Sequence, residues 1–158
     1  MRTIWVGALV MIAGLSGAQE YDVLITGGTV YDGSGDAPAV ADVGIMGDRI
    51  VAIGDLSEAE GDVEIDAEGL AVTPGFINML SHATVSLIVD PRAMSDIKQG
   101  VTLEVFGEIS MGPMSPAMKE ATLARQGDVK YDIVWDTLGE YLDYLADRGI
   151  APNVASRV

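Results

Sequence analysis

The spacing of apolar positions changes along the chain. Residues 21–72 carry short apolar runs: Tyr21–Thr26, Thr29–Tyr31, Ala41–Met46, Arg49–Ile53, Val63–Asp66 and Leu70–Val72. Gly27-Gly28, Asp32-Gly33-Ser34-Gly35 and Gly47-Asp48 punctuate them. Glycine accepts positive φ without a Cβ clash, so these are turn positions. Short strands every roughly eight to twelve residues with such turns predict a small β-sandwich or partial barrel.

At Thr73-Pro74-Gly75-Phe76-Ile77 the character shifts. A strand-like run leads from there into Asn78–His82, and Asp96-Ile97-Lys98-Gln99-Gly100 reads as a helix end stopped by glycine. Val101–Phe106 is a mainly apolar, buried strand. Strand, helix and strand within about 35 residues make a βαβ unit. Residues 117–150 are predicted helical. Asp136 or Thr137 caps the stretch Leu138–Arg148, whose Leu138, Tyr141, Leu142 and Leu145 fall on one helical face. Gly149 ends that helix and Pro152 keeps it from resuming. Asn153–Ser156 starts another strand just before Val158. A strand there needs neighbours for its backbone groups, so the expectation is a truncated chain.

The first residues stand apart. Arg2 is the only charge before Glu20, Ile4–Leu15 is almost wholly apolar, and Ser16-Gly17-Ala18 is a small-x-small end. Residues 1–18 read as a secretory signal peptide, which predicts an exported protein, periplasmic or extracellular. The apolar run is short against a ~30 Å hydrocarbon core, so no stable membrane span is expected after cleavage.

Composition narrows the chemistry. There is no cysteine, which excludes disulfides and Cys-ligated metal sites. Nine Lys+Arg against 24 Asp+Glu give a formal charge of -15. Nucleic acid is therefore not an expected partner, because phosphate binding needs clustered cations. The glycines near residues 27–35 make no dinucleotide fingerprint, since no helix follows them. Asp32-x-Ser34-x-Asp36 lacks the downstream Glu of a calcium loop and reads as a turn. Met111-Gly112-Pro113-Met114-Ser115-Pro116 is either a flexible connection or the lining of an acyl pocket.

Five stretches together resemble the amidohydrolase superfamily, and within it the N-acyl-D-amino-acid deacylase (D-aminoacylase) branch. They are Tyr21–Asp36 (YDVLITGGTVYDGSGD), Gly47–Gly54 (GDRIVAIG), Ile65–Ile77 (IDAEGLAVTPGFI), Gln99–Thr102 (QGVT) and Asn153–Ser156 (NVAS). The resemblance implies an α/β fold, with a small β domain over 19–72 and the first βα units of an incomplete TIM (β/α)8 barrel over 73–158. It implies a divalent metal, zinc by expectation, and hydrolysis of the carbon-nitrogen amide bond of a small N-acylated amino acid. A metal lowers the pKa of bound water and polarises the amide carbonyl.

The motif is altered at its chemical centre. The family pattern P-G-F-I-D-x-H-x-H appears as Pro74-Gly75-Phe76-Ile77-Asn78-Met79-Leu80-Ser81-His82. Asn78 replaces the Asp and Leu80 the first His. The second His position holds His82, the sole histidine of the chain. The family's G-N-C-G stretch reads Gly107-Glu108-Ile109-Ser110, without its Cys. The resemblance thus leaves His82 and Glu108 as the candidate metal ligands, with Glu108 also the candidate acid/base. The ordinary alternatives are a hydrogen-bonded strand-end histidine and a solvated loop carboxylate. With that incomplete set, the isolated fragment is expected to be inactive. A second reading, favoured by Leu80 and the missing Cys, is a non-catalytic binding protein that kept the fold and lost the metal. A third is a gene fragment with no stable product.

Overall fold

The computed structural model describes residues 19–157, which divide into two compact units between Pro74 and Gly75. The signal peptide predicted over 1–18 lies outside the described residues. Among the described residues no helix is long and apolar enough to cross a membrane.

The first unit is a single mixed sheet. Strands β1 (Glu20–Val30), β2 (Ala39–Met46), β3 (Arg49–Gly54) and β4 (Glu60–Asp66) order as β3-β2-β1-β4, and β5 (Ala71–Val72) also pairs with β1. β1–β2 and β2–β3 are antiparallel, whereas β4 and β5 run parallel to β1. The described residues of this unit pair into one sheet, in which β4 and β5 both continue along β1; a second layer of the expected small sandwich or partial barrel is not seen among them. β1 also runs through Gly27-Gly28, where the sequence suggests a break. Gly27 takes φ 68°, the register with β2 slips there, and the Gly27 N–H donates to Asp42 Oδ1 at 2.8 Å. Tyr21, Leu24, Val43 and Ala67 are buried. The Tyr21 ring lies over Gly44, where an added Cβ would come within 2.5 Å of it.

The second unit carries the candidate chemistry. β6 (Phe76–Ser81), β7 (Val101–Phe106) and β8 (Asn153–Ser156) form a three-stranded sheet in that order, both pairings parallel. Parallel neighbours need crossovers, and helices supply them. Between β6 and β7 the expected single helix is two short ones, α1 (Ser86–Val89) and α2 (Met94–Ile97). Pro91 has no N–H to continue the first, and Ala93 takes a left-handed φ of 45° before the second.

The helix expected over 117–150 is likewise interrupted. α3 (Pro116–Ala124) and α4 (Leu138–Asp147) flank a non-helical stretch, 125–137. In that stretch Ile133 and Trp135 are buried while Asp132, Val134 and Asp136 are exposed. That is period two, which an extended segment laid on a core follows and a helix cannot. α4 begins as the sequence predicts. Thr137 Oγ1 accepts the Glu140 N–H at 3.2 Å, and Glu140 Oε2 accepts the N–H groups of Asp136 and Thr137 at 2.7 and 2.8 Å. This is a capping box, and those two backbone donors hold the Glu140 carboxyl below its ordinary range.

α4 presents Tyr141 and Leu145, both fully buried, to a core containing Leu87, Phe106, Ile133 and Trp135. The Trp135 and Tyr141 ring centroids are 5.0 Å apart and tilted by 53°. Met111 and Met114 belong to this core too. Part of the Met-rich loop is therefore packed structure, not a flexible connection.

Candidate active site

His82 directly follows β6. Ser81 is buried, and its Oγ accepts the Ala83 N–H at 3.1 Å, so a hydroxyl-closed turn spans the histidine. One residue further, the Thr84 carbonyl accepts the Tyr141 hydroxyl at 2.8 Å in a buried contact. Burial raises the Tyr141 phenol well above its ordinary value, so it acts as a fixed donor. The core helix α4 thereby anchors the segment that carries His82.

Glu108 follows β7 by two residues. Phe106, in the core, fixes the end of that strand, and the Met111 carbonyl accepts the buried Trp135 Nε1–H at 2.7 Å. Glu108 is thus held between two core-anchored points. The parallel pairing of Ser81 with Phe106 sets the two strand ends side by side, and His82 Nε2 stands 3.7 Å from Glu108 Oε2. Their side chains are 55% and 63% exposed, so the contact is open to substrate and to water. At this distance it is a charge contact while the imidazole is protonated, not a hydrogen bond.

Both candidate residues identified from sequence therefore meet. The structure adds two that sequence reasoning missed. Arg157 follows β8 as Gly107 follows β7, and its N–H donates to the Phe106 carbonyl at 3.1 Å. Counting one residue past each parallel strand would have found it. Glu104, inside β7, is fully buried, and neither carboxylate oxygen has a hydrogen-bond partner among the described residues. It shares a strand face with Phe106, two residues on, and so points to the core side.

The donor set does not fit a resident divalent metal. A catalytic zinc takes three protein ligands of N, S or carboxylate type. His82 and Glu108 offer two, Leu80 offers none, and no group of three or more His, Cys, Asp or Glu converges among the described residues. A groove of about 210 Å³ is lined by Leu142, Ala146, Ile150, Pro152, Asn153 and Val154. It lies at the N-terminal end of β8, away from the strand end that leads to Arg157, and has no titratable side chain in its lining.

No family model matches the chain. Individual proteins do. The D-aminoacylase of Alcaligenes xylosoxydans xylosoxydans is 39% identical over 145 residues, 90% of this chain and 30% of that protein. The N-acyl-D-glutamate deacylase of the same organism is 42% identical over 113 residues, 70% of this chain and 23% of that protein. The fold matches a crystal structure of N-acyl-D-glutamate deacylase from Bordetella bronchiseptica, complexed with zinc and a phosphonate inhibitor. The TM-score is 0.74 at 31% identity, covering 89% of this chain and 30% of that one. The chain thus spans about 30% of the length of such relatives. Over the residues it contains, it is a homologue of the D-aminoacylase branch of the amidohydrolases.

Proposed function

We propose that this chain contributes strand ends to an amidohydrolase site that cleaves the amide bond of a small N-acylated amino acid, of D configuration. The observation that carries this reading is the His82–Glu108 contact at the ends of neighbouring parallel strands, on a chain homologous to D-aminoacylases. We read β6, β7 and β8 with their intervening helices as consecutive units of a (β/α)8 barrel. Barrel reaction centres lie at the C-terminal ends of the strands. We read residues 19–72 as the accompanying small β domain, and residues 1–18 as a signal for export.

In this reading His82 Nε2 holds or releases the proton that the departing nitrogen requires. Glu108 faces the imidazole at 3.7 Å and serves as a second acid/base group beside it. When bound, a divalent metal would supply an activated water in this family, but the residues present give it too few donors to enter the derivation. Leu80, in the place of a ligand, favours the second reading, a binding protein without turnover.

The test is release of free amine from N-acetyl-D-leucine and N-acetyl-D-glutamate against their L forms, by a full-length protein that carries this chain, with and without added zinc. The account expects D-selective release that falls at least tenfold in His82→Ala. Absence of release from every substrate, by a cooperatively folded protein, would establish the binding reading instead.

A further inference from the structure

The end of β8 brings a cation into this mouth. The Arg157 guanidinium crosses above Gly107: its Nη2 lies 2.8 Å from where a Cβ on Gly107 would stand. Leu80 Cδ1 lies 2.8 Å from the same point. Gly107 does not take positive φ, so its missing side chain serves space and not backbone conformation. Any larger residue there would displace the guanidinium, the leucine or both.

Arg157 is exposed and makes no ion pair among the described residues, in a chain with 24 acidic residues against nine Lys and Arg. Its acidic neighbour in the mouth, Glu108, is turned to His82. A seated guanidinium without an anion is a fork of parallel N–H donors, whose geometry matches a carboxylate. It also stands beside Leu80, the side chain that replaces a ligand, so a fixed positive charge borders the place where a donor has been lost.

We propose that Arg157, seated over Gly107 beside Leu80, binds the free carboxylate of the ligand whose amide faces His82 and Glu108. The identity of that ligand as an N-acyl amino acid rests on the reading above; the carboxylate subsite itself rests on the Arg157 geometry. The substitution of Leu80 then has a chemical sense: an apolar wall and a guanidinium make a carboxylate pocket, which a metal-ligating imidazole would obstruct.

The probes are N-acetylglycine and its neutral analogue N-acetylglycinamide, titrated into the whole chain and followed by calorimetry or NMR. The expected result is a preference of at least tenfold for N-acetylglycine. Arg157→Gln abolishes that preference and Arg157→Lys retains part of it. Gly107→Ala, with Arg157 intact, weakens N-acetylglycine alone, because the new methyl takes the guanidinium's seat. Thermal unfolding of each variant confirms that it is folded. If folded Arg157→Gln keeps the wild-type preference, the inference is overturned. Arg157-dependent N-acetylglycine binding, with no amine released from either N-acetyl-D-amino acid by the full-length protein, supports the subsite and refutes the hydrolytic reading. Amine release by Arg157→Gln with unchanged KM refutes the subsite and leaves hydrolysis standing.

Discussion

The two sides of the β6-β7-β8 sheet obey different rules. On the core side Phe106, Trp135, Tyr141 and Leu145 are buried to 2% exposure or less. Away from that core Ile77, Met79 and Leu80 of β6 are about half or more exposed, and His82, Glu108 and Arg157 meet solvent at the strand ends. The covered side sets where each strand stops, and the open side holds what those ends present. Altering the covered side should change stability, and altering the open side should change chemistry with little cost to the fold.

The largest effect expected is on the covered side. Leu145→Ala removes a fully buried side chain from the centre of the core. It should cost about 2–5 kcal/mol in chemical denaturation. A loss near zero would mean that α4 does not seal the sheet. Next comes Glu104→Met, the one change on this side expected to stabilise. Its carboxylate is fully buried and unpartnered, and such a group costs about 1–3 kcal/mol. A methionine of similar volume should therefore raise the unfolding midpoint by a comparable free energy. A lower midpoint would show that Glu104 has a partner outside the described residues.

Thr137→Ala should cost about 1 kcal/mol by leaving the first turn of α4 uncapped. The capping partner adds a pH dependence with a definite sign. The folded pKa of Glu140 lies below its ordinary value of 4.5, so its contribution is present above that value. It is lost as pH falls through the folded pKa. Glu140→Gln should flatten that acid limb of the stability curve, which circular dichroism melts at stepped pH would measure. The smallest effect belongs to the open side. An exposed charge contact contributes under about 1 kcal/mol, so Glu108→Gln should leave the unfolding midpoint almost unchanged.

The same division explains what the sequence made legible. β7 and β8 match their predicted bounds, and α4 starts after Thr137 with Tyr141 and Leu145 inward, because buried elements leave a period. The stretch 125–137 is extended where a helix is expected, and Tyr131, Ile133 and Trp135 alternate there with residues that stay outside. A helix on each side of it masked the change of period. The β character of residues 21–72 is legible, but strand-and-turn punctuation does not reveal which strand pairs with which, so the return of β4 and β5 to β1 is not. His82 and Glu108 were found through residue type and motif position. Their 3.7 Å approach was not legible, because it depends on a parallel register set by residues 81 and 106. Arg157 is not legible in the sequence, because a lone arginine after a short strand carries no spacing signal. Its seat exists only where Gly107 of the adjoining strand leaves room.

The central claim, that the β6 and β7 ends bring the sole histidine against Glu108, has a direct measurement. One histidine gives one set of imidazole resonances. At fixed pH, Glu108→Gln should shift the His82 ring signals, while Asp90→Asn, whose carboxylate pairs with Arg92, should leave them in place. Ring signals unmoved by Glu108→Gln, in a protein that still unfolds cooperatively, would contradict the account.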